Sequence, residues 1–428
     1  MKIPKRVRGV KFRSSGAATT SFAGLRFVVE LASKLRVIER LRVVSVKKRR
    51  RGIPVEDFVM SLASSFLVGG DSLSDLSVLR EETVTRELCF DLEVPAPTTA
   101  GERLRSFSLG HLRQLDGAQR ETCREILERT SGSEALTLDV DSSIIEVYGD
   151  QKQGARFGYS GVRGLHPLLA FAHEERLLLG ARLRAGNRAS SDGVVPFLED
   201  VLTAIPARRR VRLRMDAGFY GKSVEGFATE RALGFSISAR LTKRLRAEIE
   251  ALPEGAWRSY PWEEEAEYAE LRYRPTGWSS DYRLLVKRTP WFDQEQRLLD
   301  EHFFTPVITN LPGAASSLIR YHLARGGAEN YIEEFKSGIG ASHLPSRCFH
   351  ANWAWLLIAA LAYNLAQAFK LLLLPAAEQA QQIKKLRLHW LCVAARFIRT
   401  GRRFVLALAR GPDTANAFER LQQQLTTL

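Results

Sequence analysis

Residues 351–374 read ANWAWLLIAALAYNLAQAFKLLLL, and a run this apolar has to be shielded from water somewhere in the finished structure. It is long enough to cross a bilayer as a helix. Asn352, Asn364, Gln367 and Lys370 interrupt it, and a lysine deep in a lipid-facing span is costly. We therefore read it as a buried core helix of a soluble protein. A chain of 428 residues exceeds one ordinary core, and its length suggests two or three folded units.

Apolar residues make up 45% of the chain and charged residues 26%, as in globular rather than disordered proteins. The net charge of +15 calls for an acidic partner, either nucleic acid or an anionic membrane. Residues 1–52 hold 16 Lys or Arg against two acids, Glu30 and Glu39, and the rest of the chain is close to neutral. Such an arm can be a solvated, solubilising segment. Phosphate binding accounts for it better, because each cation that neutralises a phosphate releases a counterion. Lys47, Lys48, Arg49, Arg50 and Arg51 are its densest cluster. Cys89, Cys123, Cys348 and Cys392 form no CxxC pair, so neither a disulfide framework nor a structural zinc site is expected, in keeping with a reducing compartment. The N-terminus is too basic and too poor in apolar runs for a secretory signal.

Residues 54–130 carry helical signals. Pro54, Glu56 and Asp57 suit a first turn, Phe58, Leu62 and Phe66 follow at helical spacing, and Gly69-Gly70 stops the helix. Asp71 or Ser72 can cap the next one. The Pro95–Thr99 break precedes another helix with Leu104 and Phe107 on one face. This is a plausible helical DNA-binding unit without a helix-turn-helix signature. At residue 136 the pattern changes to the alternation Leu136-Thr137-Leu138-Asp139-Val140-Asp141, which predicts a strand. Further strands are expected at 145–148, 167–173, 177–184, 211–215 and 234–239, with a crossover helix at 193–205, an α/β pattern. Residues 241–304, with an acidic cluster and Trp257, Trp262, Trp278 and Trp291, suggest an inserted β-rich subdomain. Residues 306–310 look like a strand returning to the core. From 313 onward the pattern is helical, closing on a basic amphipathic stretch at 384–404.

Three acids stand where an apolar scaffold would not choose them. Asp141 ends a strand, Asp216 follows the strand 211–215 with Gly218 supporting a sharp turn, and Glu329 lies early in a helix. Carboxylates at strand ends and on a neighbouring helix can converge on Mg²⁺ or Mn²⁺. Two such ions roughly 3.5–4 Å apart serve phosphoryl transfer. Each acid has a plainer reading as a turn former, a cap or a solvated side chain. Asp139 competes with Asp141, because residues two apart on a strand share a face, and Glu333 and Glu334 compete with Glu329. Arg325 and Lys336 lie four before and seven after Glu329, on one helical face. They read either as a salt-bridge ladder or as phosphate-binding cations flanking a metal-binding carboxylate.

The segments LDVDSSIIEVYGDQKQGARFGYSGVRGLHPLLA (138–170), LRAGNRAS (183–190), LRMDAGFYGKSV (213–224), ARGGAENYIEEFKSGIGASHLPSRCFHANWAWLLIAALAYNLAQ (324–367) and QQIKKLRLHWLCVAARFIRTGRRFVLALAR (381–410) resemble transposases of bacterial insertion sequences. The resemblance is to the DDE group with a Tyr-Arg-Glu-Lys signature, in its thirteen-eighty-type branch, and it spans nearly the whole chain. It implies an RNase H-like mixed-sheet core with an inserted β-rich subdomain, a helical N-terminal domain before it and C-terminal helices after it. The implied division is 1–130 for the basic arm and helical DNA-binding domain, 131–240 and 305–380 for the core, 241–304 for the insertion and 381–428 for a basic helical region. The resemblance selects Asp141, Asp216 and Glu329 as metal-binding catalytic residues, with Arg325 and Lys336 as phosphate contacts. The signature tyrosine falls on Tyr321, four residues before Arg325 where the wider group has three. By the same resemblance Trp278 is a candidate for stacking on an unpaired base near the cut.

The implied activity is binding of the element's terminal inverted repeats, end cleavage and joining to target DNA with two Mg²⁺ ions per site. Double-stranded DNA is the expected partner of a homodimer or larger assembly in the bacterial cytoplasm, associated with the nucleoid and not with a membrane. A metal-dependent nuclease and a catalytically silent DNA-binding derivative are the alternatives.

Overall fold

The computed structural model describes residues 17–46, 52–88, 92–130, 132–158, 161–292, 298–401 and 403–428. Its frame is one nine-stranded mixed sheet. The strands are β1 (Ala135–Ser142), β2 (Leu168–Ala172), β3 (Leu177–Arg182), β4 (Arg210–Met215), β5 (Gly234–Ser238), β6 (Arg258–Ser259), β7 (Glu267–Tyr273), β8 (Tyr282–Phe292) and β9 (Leu298–Thr309). Their spatial order is β6-β7-β8-β9-β5-β4-β1-β2-β3.

The chain makes an antiparallel meander through β1, β2 and β3. It then crosses over by helix α4 (Val194–Leu202) to lay β4 parallel to β1 on the other side. Helix α5 (Lys222–Glu230) returns it to β5, parallel to β4. The central strand β2 is wholly buried, which explains its unbroken apolar run, whereas β1 is buried over most of its length despite its polar alternation. The strands expected at 167–173, 177–184, 211–215 and 234–239 and the helix at 193–205 are all present, their ends shifted by at most three residues.

The 241–304 segment is β-rich, but its strands do not form a sheet of their own. The antiparallel run β6 to β9 continues the core sheet, because Val307–Thr309 at the end of β9 pair with Ser238–Ser236 of β5. The strand expected at 306–310 is the last part of this 12-residue β9. At 145–148 only Ile145–Glu146 is extended, and it belongs to a separate small sheet with Arg163–Leu165 and Arg156–Phe157, which the sequence pattern did not reveal.

The apolar run forms helix α8 (Phe349–Leu373), buried along nearly all its length. It packs on α2 (Val55–Val68), α3 (Leu109–Arg129) and β3. Its polar interruptions have protein partners. The Asn364 amide accepts from Leu178 N and donates to Leu178 O, both at 2.8 Å, and so satisfies the free edge of β3. Asn352 bonds Ser346 N and O, and Lys370 Nζ donates to Gln381 O at 2.8 Å. A helix buried along nearly all its length, with Asn352, Asn364 and Lys370 bonded to neighbouring backbone, is a core helix. Gly69 ends α2 in the left-handed region (φ 107°), and Ser72 with Asp75 forms the capping box of the next turn. One continuous apolar core runs from Ala23 through the sheet to Leu425, so the N-terminal helices, including α1 (Leu25–Lys34), share it with the sheet.

The C-terminal region corrects the sequence reading. Residues 384–404 are not one amphipathic helix: after short helical turns, Ala395–Thr400 and Arg403–Leu408 form an antiparallel hairpin. Phe397, Ile398, Phe404 and Val405 favour extended backbone, and Gly401, at φ 60°, fits the first position of a two-residue turn. The spacing of cations at 384–404 resembled a helical face and hid this alternation. Thr19–Thr20 adds a third strand along Ala395–Arg396.

Candidate active site

Strand register brings the first two acids together. In the parallel β1–β4 ladder Val140 partners Met215, so the next residue on each strand, Asp141 and Asp216, lies at the carboxyl end of the sheet. Open α/β sheets bind ligands outside that end. Asp141 Oδ1 accepts from Ser142 N at 2.7 Å, and Asp216 Oδ1 accepts from Gly218 N at 2.8 Å as it caps the short turn Ala217–Phe219. Burial and the neighbouring Asp216 charge push the Asp141 carboxyl up to about 6, against the lowering pull of Arg325. Glu329 adds a smaller upward push. A β-carbon on Gly218 would come within 2.9 Å of both Ser190 and Asp216, so the turn that presents Asp216 requires glycine.

Asp139 shares the strand face but not the chemistry. It is 1% exposed and held by Arg214 through Nε–Oδ1 at 2.6 Å and Nη2–Oδ2 at 2.8 Å. His173 Nδ1 lies 2.9 Å from Asp139 Oδ2. A carboxylate paired in this bidentate way is engaged inside the core, whereas Asp141 stands at the end of the strand beside Asp216. Arg214 Nη1 also donates to Tyr321 O, and its guanidinium stacks 5.0 Å from the Tyr321 ring.

That network seats helix α6 (Ala315–Leu323) against the sheet. Buried His322 bridges Ser236 Oγ and Ser238 Oγ at 2.8 Å each, and burial drives its pKa down to about 3, assisted by Arg325 and Arg214. The Tyr321 hydroxyl bonds Thr137 Oγ1 at 3.3 Å, toward the start of β1. The Tyr321 side chain, expected by the resemblance to take the signature tyrosine's place among the DNA-binding residues, is packed here against Arg214 and Thr137.

Helix α7 (Gly326–Glu333) follows. Arg325, at its N-cap, reaches Asp141 Oδ2 with Nη1 at 3.1 Å. Glu329 stands exposed in the first turn. Residues Glu334–Gly338 form a π-helical turn, and such turns are frequent at functional sites. From this turn Lys336 Nζ donates to Ser143 Oγ at 3.3 Å and Ile144 O at 3.1 Å. Arg325, Glu329 and Lys336 therefore do not share one regular α-helix, yet Arg325 reaches the end of β1 and Lys336 the loop that follows it.

Among the described residues no group of three His, Cys, Asp or Glu side chains is drawn together tightly enough to hold a metal ion. The chemistry of the donors nevertheless fits one. Asp141 and Asp216 are adjacent, mutually repelling carboxylates with Arg325 as the cation on Asp141, and hard divalent ions favour such oxygen sets. Glu329 is within electrostatic reach of Asp141 without having closed on the pair.

Trp278 contradicts its expected role. It is 6% exposed and packed among Tyr220, Phe235 and Tyr282 with ring centroids 5.3–6.0 Å away, so it has no free face for a base. Lys47, Lys48, Arg49, Arg50 and Arg51 lie outside the described residues. Sequence reasoning missed Ser190, whose Oγ is 2.9 Å from Ser142 Oγ. It also missed Arg184, whose Nη1 bonds the carbonyls of Ala189, Ser190 and Asp192 and so shapes the loop carrying Ser190. Burial lowers Arg184 to about 10. An arginine two residues after an apolar strand was the available signal.

A family model described as transposase DDE domain group 1 matches residues 3–428. None of the curated proteins compared with the chain matches it. Among solved structures, the cryo-EM structure of the piggyBac transposase synaptic complex with hairpin DNA aligns with a TM-score of 0.45 at 11% identity, covering 88% of this chain and 82% of that one.

Proposed function

The chain belongs to the transposase DDE domain family, group 1, and from that premise we propose that it binds the ends of its own mobile element, cleaves them and joins them to target DNA. The observation that carries this reading is the side-by-side placement of Asp141 and Asp216 at the carboxyl end of β1 and β4, with Asp141 raised to about 6. The order β3-β2-β1-β4-β5, with β2 alone antiparallel to both its neighbours, supports an RNase H-like core.

Asp141, Asp216 and Glu329 are the residues that would hold Mg²⁺, or Mn²⁺ in its place. Two such ions, when bound, help activate an attacking oxygen and stabilise a leaving one. The chain's own contribution is positioning. Ser142 N and Gly218 N fix Oδ1 of each aspartate, so that Oδ2 of Asp216, and Oδ2 of Asp141 once Arg325 leaves it, would coordinate. Arg325 would move from Asp141 to a DNA phosphate, and Lys336 would hold a second phosphate beside the loop after β1. Glu329 would complete the set as α7 approaches the sheet. In cleavage a water oxygen attacks the phosphorus and the strand's 3′ oxygen leaves with a proton. In joining, that freed 3′-hydroxyl attacks a target phosphodiester, and a target 3′ oxygen leaves. No covalent enzyme–DNA bond is needed.

The basic N-terminal region would recognise the element's terminal repeats, and a homodimer or larger assembly would hold two ends together. The setting would be the bacterial cytoplasm, on the nucleoid. The test uses the gene's flanking DNA as donor with purified protein and Mg²⁺ or Mn²⁺, comparing wild type, Asp216→Asn and Glu329→Gln. Cleavage and joining by wild type alone is the expected result. Metal-independent cutting, or equal cutting by both variants, would overturn the mechanism, and cleavage without joining would leave a nuclease. Binding without cutting would leave a silent DNA-binding derivative.

A further inference from the structure

The C-terminal hairpin carries a surface that the catalytic reading does not use. Residues 381–410 contain eight Lys or Arg and no acid. In the ladder Ile398 pairs with Val405 and Arg396 with Ala407, so these four share one face. Ile398 is 37% and Val405 45% exposed, and Arg396 is exposed beside them. On the opposite face the rings of Phe397 and Phe404 stack at 5.2 Å and 12°, with Phe404 64% exposed and Arg399 lying 5.9 Å over it. Among the described residues neither Arg396 nor Arg399 forms a salt bridge. The root of the hairpin is anchored: Leu406 and Leu408 pack on the main core, and Thr19–Thr20 holds the inner edge. Beyond that root the two paired strands present apolar side chains beside Arg396 and Arg399.

We infer that this ribbon, Ala395–Thr400 with Arg403–Leu408, is a duplex-DNA contact, its arginines on phosphates and Phe404 against the groove edge. This rests on the transposase reading above and adds to it a contact outside the catalytic cleft and outside the N-terminal region. Charge decides the occupant. A second copy docked through the same face would set like-charged arginines against one another, whereas a polyanion neutralises them. A two-stranded ribbon fits the major groove, and apolar side chains flanked by cations also occur where proteins enter the minor groove.

The test measures binding of full-length Asp216→Asn protein to a duplex carrying the element end, by fluorescence anisotropy across a salt series. Arg396→Gln/Arg399→Gln should weaken binding about tenfold or more at 0.1 M salt and reduce the slope of log affinity against log salt by about 2. Arg396→Lys/Arg399→Lys should restore both, which a folding defect would not allow. Phe404→Ser should weaken binding with the salt slope unchanged. Unchanged affinity and slope in the double glutamine variant would overturn the ribbon contact while leaving the transposase reading intact. A change of oligomeric state in Phe404→Ser with unaltered DNA binding would overturn it in favour of a second copy. Failure of the parent protein to bind any duplex would remove both readings.

Discussion

Two aspartates two residues apart on β1 have opposite fates, set by burial and by the charges beside each. Asp139 is compensated: the bidentate Arg214 and the nearby His173 offset its desolvation. Removing one member leaves the other buried and unpaired, so Asp139→Ala should cost about 3–5 kcal/mol in a urea titration. Asp141 is under-compensated, because Asp216 repels it more than Arg325 relieves it. Asp216→Asn should therefore unfold no more easily than wild type, and up to about 1 kcal/mol less easily, while losing all cleavage. His322 gives a pH signature. Its folded pKa, near 3, lies below the unfolded value near 6.5. The neutral imidazole then contributes full stability above about pH 6.5, and this is lost as pH falls toward 3, because the unfolded chain binds the extra proton. The stability difference between wild type and His322→Gln should shrink by at most about 1.4 kcal/mol per pH unit in that window, measured by denaturant titration at successive pH values. The alternation at 136–141 made the shared face of Asp139 and Asp141 legible in sequence. Which of them stays free depends on Arg214, 75 residues away, a distance no local pattern spans.

At the scale of elements, the longest-range contacts were the least legible. The sheet strands announced themselves by alternation and apolar runs, and α8 by its length. The hairpin at 395–408 did not, because its cations fall at intervals that also fit a helix and its third strand is Thr19–Thr20 at the other end of the chain. Arg387 shows the same limit: it looks like one more surface cation, yet it donates to Phe66 O, Leu67 O and Gly338 O, joining the end of α2 to the π turn that carries Lys336. Arg387→Ala strands these carbonyls and should cost about 2–5 kcal/mol by thermal or urea unfolding. Trp278→Ala should likewise cost about 3–5 kcal/mol through the cavity it leaves. Its cleavage per folded molecule should stay near wild type, whereas a base-stacking tryptophan would show the reverse pattern.

The whole molecule is closed by contacts between its two ends. Helix α9 (Pro412–Thr427) buries Phe418, Leu421 and Leu425, sets Phe418 edge-on to Phe27 of α1 at 5.1 Å, and reaches Glu30 through Gln422. Deleting residues 412–428 should accelerate hydrogen exchange in α1 far more than in β1 or β4, because α1 loses a face while the central sheet does not. Equal acceleration everywhere would mean that the ends do not form a separable cooperative unit. The pairing of Thr20 with Ala395 also sets a clock. Synthesis proceeds at about 5–20 residues per second, so Thr19–Thr20 waits roughly 20–75 s for the ribbon strand with which it pairs. A nascent chain on the ribosome therefore completes β1 and β4 well before its two ends can lock. Only a released, full-length molecule acquires both halves of that lock at once.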